Sequence, residues 1–275
     1  MTSHSQNPLS ELSDDRVAID SSQASESNIG TPRTLSGRLL YYWSLAVAAG
    51  LLLILGPPSI LFCWLVGRPQ WLYPWALFGG RNWLRLSGMQ VVVRGLEHLD
   101  PQRTYVFIAN HRSYLDTVTL FGYLGRRIGL LAKKELLKVP ILGYAMGYVN
   151  VMAIDRSNRT RALRTTRAAT ERIRSGISFG VFAEGTRALP GQLLPFKKGG
   201  FYMAVETGVQ IIPVAIKNTD RLMGKGTGQA RPGIIEMVLL EPVETDGLST
   251  DEEVRSLTNH VRTLIAEELG LKNKA

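Results

Sequence analysis

Two short polar segments, each placed where an apolar run ends, carry residue types that could do chemistry. The first is Asn110-His111-Arg112-Ser113-Tyr114-Leu115-Asp116. The run before it, Tyr105–Ala109, reads as a buried strand, and Leu115–Leu124 after it reads as a helix. A histidine at that junction projects from the carboxyl edge of a sheet, where α/β folds keep their ligands. Asp116, five residues on, falls in the first turn of the helix and can fold back to accept a hydrogen bond from the imidazole. That fixes the tautomer and leaves the other ring nitrogen to take a hydroxyl proton. The same spacing also describes an aspartate that caps its own helix beside a histidine satisfied elsewhere. By spacing alone, the capping reading is the stronger.

The second segment, Phe182-Ala183-Glu184-Gly185-Thr186-Arg187, follows the apolar run Ser178–Phe182. Gly185 permits close backbone approach, and Thr186 and Arg187 offer a hydroxyl and a guanidinium suited to a phosphate. An ordinary polar turn accounts for the segment equally well. Basic residues end two other candidate strands, as Lys133-Lys134 and as Ile154-Asp155-Arg156, and Pro195-Phe196-Lys197-Lys198-Gly199-Gly200 adds more. Three strand ends bearing Lys or Arg would form one electropositive pocket.

Other matches are set aside on physical grounds. Gly176-Ile177-Ser178-Phe179-Gly180 fits the nucleophile-elbow pattern, but that elbow needs a strand before the serine and a helix after it, the reverse of the order here. Gly224-Lys225-Gly226-Thr227-Gly228 lacks both the full glycine pattern of a phosphate loop and a following helix, and reads as a flexible surface loop. Cys63 stands alone, and His4, His98 and His260 are scattered, so no metal site is expected.

The elements that must position these groups follow from the hydrophobic pattern. Candidate strands are Gln90–Arg94, Tyr105–Ala109, Ile128–Ala132, Val149–Ile154, Ser178–Phe182, Gln210–Ile216 and Ile234–Leu240. Helical patterns fall at Leu115–Leu124, Glu135–Met146, Thr160–Arg174 and Gly199–Glu206. That alternation predicts an α/β domain with a mixed, largely parallel sheet of about seven strands flanked by helices. A last helix opens on a capping box, Thr250 with Glu253, carries the stripe Val254, Leu257, Val261, Leu264 and Ile265, and stops at Gly270.

Ahead of this domain, residues 1–36 are rich in Ser, Asn, Gln and Thr without apolar periodicity, which predicts a disordered tail. Residues 37–88 read as a membrane-associated helical segment and 89–275 as the catalytic domain. From Leu39 to Gly67 no residue is charged. A straight helix of that length reaches about 43 Å at 1.5 Å per residue, more than a hydrocarbon core of roughly 30 Å. Gly56-Pro57-Pro58 predicts a break, because consecutive prolines remove amide donors and clash with the preceding turn. Either a kinked transmembrane helix or a hairpin dipping into one leaflet results, the hairpin slightly favoured. Trp64, Trp71, Tyr73, Trp75 and Trp83 supply interfacial aromatics, and Arg33, Arg38 and Arg68 flank the run, which places the catalytic domain on the cytoplasmic side. The net charge of +9 and pI near 9.8 suit an anionic membrane or phosphate-bearing substrates. The arginine-rich stretch 159–174 lacks aromatic interleaving and nucleic-acid motifs, so no nucleic-acid partner is expected.

In this order and spacing the segments resemble the glycerolipid acyltransferase family across about residues 90–245. The family's Asn-His-x-x-x-x-Asp block is matched by Asn110, His111 and Asp116, and a second block resembles Gly147 to Arg156. The third, usually Phe-Pro-Glu-Gly-Thr-Arg, is matched by Phe182 to Arg187 with Ala183 in place of the proline. The fourth resembles Ile211-Ile212-Pro213-Val214-Ala215-Ile216. The resemblance implies acyl transfer from acyl-CoA or acyl-acyl carrier protein to the hydroxyl of a lysophospholipid, with 1-acylglycerol 3-phosphate giving phosphatidic acid. No cofactor and an amino-terminal helical membrane motif are implied. His111 and Asp116 would be catalytic, and Glu184, Gly185, Thr186, Arg187, Arg156 and Lys133 would bind the phosphate or order its loop. Ala183 removes a φ-locking residue from that loop. Another acceptor (glycerol 3-phosphate, another lysophospholipid or a lyso-aminolipid) keeps the same chemistry. A membrane-tethered basic binding protein without catalysis is the alternative from another class.

Overall fold

Short apolar runs with no polar alternation suit strands covered on both faces, and the middle of the sheet is built from them. A computed structural model describes residues 33–155 and 157–271. Of the tail expected over 1–36, residues 1–32 lie outside the described residues, and so does Arg156. The sheet contains β1 (Met89–Arg94), β2 (Val106–Ala109), β3 (Ile128–Lys133), β4 (Val151–Ile154), β5 (Ser178–Phe182), β6 (Ile211–Lys217) and β7 (Gly233–Leu239). Their spatial order is β1-β7-β6-β2-β5-β3-β4, with every pairing parallel except β6 with β7. The mixed, largely parallel seven-stranded sheet is therefore as the sequence predicts. β2 and β5 are buried at every position, whereas β7 alternates, covering Ile235, Met237 and Leu239 on one face. That is the difference between a doubly covered strand and one near a half-open edge.

Successive residues of β2 point to opposite faces and enter two cores. Phe107 and Ala109 pack with Leu84 of α2 (Leu72–Leu86) and with Leu115 and Leu120 of α3 (Tyr114–Tyr123). Val106 and Ile108 pack with Ala169 and Ile173 of α5 (Arg159–Arg174), Phe201 of α6 (Gly199–Thr207), and Val254 and Val261 of α8 (Asp251–Glu268). The capping box of α8 is formed as the sequence predicts, Thr250 Oγ1 accepting from the Glu253 N–H.

The apolar amino-terminal run departs from expectation. α1 (Leu35–Leu65) is one 31-residue helix that continues through Pro57 and Pro58, so the break expected at Gly56-Pro57-Pro58 does not occur. Proline's fixed φ is itself helical, and Ser59 Oγ donates to the Gly56 carbonyl at 2.9 Å. The chain reverses instead at Gly67, whose φ is +66°, and returns as α2, a helix that the aromatic anchors had masked in the sequence. α1 faces the rest of the molecule with small residues, Gly37, Ser44, Ser59 and Cys63, and its 18-residue apolar window is only 6% buried. It is long and apolar enough to cross a membrane.

The helix expected over Glu135–Met146 is also replaced. Pro140 divides it into a 3-10 turn (Lys134–Lys138) and the short α4 (Leu142–Met146), since proline at that point cannot donate within a helix. A five-residue helix, α7 (Thr219–Met223), completes the set.

Candidate active site

β2 and β5 are neighbours with Ala109 opposite Phe182, so the two polar segments leave the sheet side by side. Asn110 closes the end of β2. Its side-chain amide exchanges two hydrogen bonds with the backbone of Ile216 on β6, Oδ1 accepting at 2.7 Å and Nδ2 donating at 2.9 Å. The next residue, His111, turns out of the sheet. Its ring lies on Phe182 with centroids 4.2 Å apart, and its side chain is 15% exposed.

Asp116 is fully buried, and its Oδ2 lies 3.0 Å from His111 Nδ1. The same oxygen accepts from the backbone N–H of Arg112 at 2.6 Å and of Ser113 at 2.7 Å. Ser113 and Asp116 thus form the capping box of α3, and the carboxylate that caps the helix is also the one that holds the imidazole. The two readings that spacing left open are one arrangement. A carboxylate only accepts, so Nδ1 carries the proton, and in the neutral ring Nε2 keeps its lone pair.

The second segment wraps this loop from the side. Glu184 is buried, Oε1 accepting from the His111 N–H at 2.6 Å and Oε2 from the Leu194 N–H at 2.7 Å. Burial is the main force on this carboxyl and pushes its pKa up to about 7, against the lowering effect of the His111 and Leu194 amides. The Ala188 N–H then donates to the His111 carbonyl at 2.7 Å. Gly185 has φ +71°, and a Cβ there would stand 2.9 Å from Lys197 Cε and 3.1 Å from Nζ, so the lysine chain lies over the turn. Thr186 is exposed, and Arg187 places its Cζ 3.7 Å from the ring centroid of Tyr114, the first residue of α3. His111, Asp116 and Arg187 are therefore brought to one rim by two adjoining strand ends.

The other predicted groups are distributed more widely. Lys133 ends β3, two strands from β2 and so roughly 10 Å across the sheet. It is exposed and sits 3.6 Å from the Glu135 carboxylate. Arg156 lies outside the described residues. Lys134 is held 2.8 Å from Asp155, and this lysine, with Ser157, keeps the Asp155 carboxyl well below the usual carboxylate range. Lys198 is committed to Asp251 at 2.7 Å, while Lys197 has no ion-pair partner among the described residues.

Three contributors, Arg112, Asp220 and Lys225, were given no role in the site by the sequence. Arg112 and Asp220 form a buried ion pair at 3.2 Å, and Asp220 also accepts from the Gly191 N–H at 2.9 Å. Arg112 Nε donates to the Gln192 carbonyl, binding the loop after Arg187 to the loop after His111. The segment 224–228, read as a flexible surface loop, needs correction. Gly224 is buried and bridges Ser113, and Lys225 Nζ donates to the Arg187 carbonyl at 2.6 Å. Apolar packing of Leu222 and Met223 beneath it draws that loop into the rim. Ser178 is consumed structurally, its Oγ accepting from the Tyr105 N–H at 3.1 Å.

A strand-end histidine held by a helix-capping aspartate, with an arginine turn beside it, is what the ends of β2 and β5 bring together. The family model described as Acyltransferase matches residues 90–217. The chain is 32% identical over 225 residues to the 1-acyl-sn-glycerol-3-phosphate acyltransferase of Saccharomyces cerevisiae, covering 78% of this chain and 73% of that protein. To 1-acyl-sn-glycerol-3-phosphate acyltransferase alpha of Homo sapiens it is 34% identical over 178 residues, covering 64% and 62%. The crystal structure of the 1-acyl-sn-glycerophosphate acyltransferase PlsC from Thermotoga maritima superposes with a TM-score of 0.73 at 29% identity, covering 87% of this chain and 98% of that one. The matched region spans slightly less than two thirds of the length of several curated relatives, 62% of the human protein. The chain belongs to this acyltransferase family.

Proposed function

We propose that the protein is a membrane-associated O-acyltransferase that moves a fatty acyl group from an acyl thioester to the free hydroxyl of 1-acylglycerol 3-phosphate, forming phosphatidic acid. The observation that carries this reading is the Asp116–His111 pair, with Nδ1 engaged at 3.0 Å and Nε2 left with its lone pair, on the same rim as Arg187. The relatives' activity supports the choice of acceptor. His111 takes the acceptor's hydroxyl proton as that oxygen attacks the thioester carbonyl. The new C–O bond forms, the C–S bond breaks, and the proton passes to the departing thiolate. Asp116 orients the ring and stabilises the imidazolium. General-base help of this kind contributes about 10²–10⁴ in rate, and holding the two substrates together supplies effective molarities of roughly 10⁵–10⁸ M.

Arg187 holds the acceptor phosphate beside the Gly185–Thr186 turn, with Lys133 and Arg156 adding to the site's positive charge, while Glu184 ties the loop after β2 to the one after β5 by accepting from the His111 and Leu194 amides. The donor carrier is coenzyme A or acyl carrier protein, and the catalytic domain faces the cytoplasm. A labelled thioester presented with lysophosphatidic acid to the detergent-purified chain tests the assignment. His111→Ala loses about 10³-fold or more of the turnover with the thermal transition retained, and retained turnover would refute the role. Arg187→Ala raises the acceptor KM about 10-fold or more, and an effect confined to the donor KM contradicts the phosphate assignment.

A further inference from the structure

The segment that leaves β3 carries apolar surface that neither the fold nor the chemistry uses. Leu137 is 54% exposed and Tyr144 55%, and Leu136, Val139 and Tyr148 are exposed beside them. Lys138 stands among them, also exposed and without an ion-pair partner among the described residues. Exposed apolar side chains on a soluble surface are normal singly, but a contiguous group next to a cation marks an interaction site.

Its place against α1 identifies the occupant. Pro140-Ile141-Leu142 is a tight turn in which the Leu142 N–H donates to the Pro140 carbonyl at 2.7 Å, with Ile141 at φ +67° and ψ −57°. A β-branched residue in that conformation is strained and persists only where its surroundings hold it. Here the Ile141 side chain fills the notch at Gly56 of α1, where a Cβ would stand 2.4 Å from Ile141 Cγ2. Tyr144 and Tyr148 line a cavity of about 140 Å³ together with Ile60, Cys63 and Trp64 of α1. The opposite end of α1 is tied to the α/β unit as well, the Thr34 N–H donating to Gln229 Oε1 at 3.0 Å. The exposed apolar side chains of this segment therefore lie beside an apolar helix long enough to cross a membrane.

We propose that residues 134–148 form a second bilayer-contact element. Leu136, Leu137 and Val139 enter the boundary between headgroups and acyl chains beside α1, with Tyr144 and Tyr148 at the level where amphipathic rings settle. Lys138 meets anionic headgroups. The element follows directly on Lys133, the last residue of β3, so it fixes the end of β3 at the membrane surface. The bilayer contact does not depend on which acyl acceptor the enzyme uses.

Single-cysteine variants of the full chain test this. In a Cys63→Ala background, Leu137→Cys and Tyr144→Cys are labelled with an environment-sensitive fluorophore and reconstituted into phosphatidylethanolamine–phosphatidylglycerol vesicles. Leu163→Cys, on the exposed side of α5 in the opposite helical layer, is the comparison. The expected result is a blue-shifted emission for the first two, quenched by headgroup-proximal spin-labelled lipid at least about threefold more than the Leu163 probe. Equal quenching at all three positions, or none at positions 137 and 144, overturns the proposal. So does a Leu137 probe shielded only by crosslinking to a second copy of the chain. Two independently placed probes keep the test decisive if one variant fails to fold.

Discussion

The loops leaving β2 and β5 and the segment leaving β3 stand at the same end of one sheet and are built on opposite principles. In the first pair, backbone groups are tied to buried side chains. Asp116 Oδ2 accepts from two amides as well as from the imidazole, Glu184 spans two amides, and Asn110 pairs with Ile216. After β3 the leucines are bare, and a strained Ile141 leans on α1. A proton-transfer site needs atoms held within a fraction of an ångström, which several converging hydrogen bonds provide. A lipid-facing segment needs apolar area and tolerates loose geometry. Changes in the first region should therefore register in rate and thermal stability, and changes in the second in membrane contact.

The largest effect expected within the hydrogen-bonded pair comes from separating the two jobs of Asp116. Asp116→Asn leaves a side chain of the same shape but no carboxylate to hold the Nδ1–H. Turnover should fall roughly 10²–10⁴-fold, the range general-base help supplies. Ser113→Ala removes the other half of the same capping box and should cost about 1 kcal/mol of stability with turnover changed less than about threefold. If the two variants lose turnover equally, helix capping rather than imidazole orientation is what the carboxylate contributes. The contrast between chemistry and mere rigidity would then fail.

A second effect is read in stability against pH. The Glu184 carboxyl is raised by burial to about 7 in the fold, above its ordinary value of 4.5. The folded state therefore holds this proton more tightly than the unfolded chain. The stabilisation is fully present below the unfolded pKa and is lost as pH rises through the folded one, on the order of 3 kcal/mol at most. Melting temperature should decline from pH 5 to pH 8, and Glu184→Gln, which cannot titrate, should flatten that decline. A slope unchanged in Glu184→Gln would assign the titration to another group and weaken the view that this network is sealed from water.

Much of this arrangement was legible in the sequence because it is local. A five-residue spacing across a strand-to-helix junction placed His111 and Asp116, and the doubly apolar runs placed β2 and β5. What spacing could not decide was whether Asp116 capped the helix or held the ring, since only three dimensions show one oxygen doing both. The long-range pieces left no local trace. Arg112 and Asp220 are 108 residues apart, and Lys225 reaches the carbonyl of Arg187 across 38. Pro140 was a readable breaker inside the helix expected over Glu135–Met146. The pair Pro57-Pro58, read as a breaker, was absorbed by a helix whose partner α2 was not foreseen.

The smallest effect concerns Ala183, which stands where the motif that the segment resembles has proline. In a loop fixed by its ring, proline would stabilise by restricting the unfolded chain, about 0.4–1 kcal/mol where the native backbone accepts it. Here the Ala183 N–H donates to the Ala109 carbonyl at 3.3 Å, and the Ala183 carbonyl accepts from the Lys197 N–H at 2.8 Å. Proline keeps the second bond and forfeits the first, a net loss of about 0.5–1.5 kcal/mol for an ordinary hydrogen bond and less for one as long as this. The two contributions oppose each other, so Ala183→Pro should shift stability by less than about 1 kcal/mol and leave the acceptor KM within about twofold of the parent. A large loss of stability would mean that the loop depends on the Ala183–Ala109 bond. A large gain would mean that its rigidity had rested on too few hydrogen bonds, and the hydrogen-bonded half of the comparison would be looser than its geometry implies.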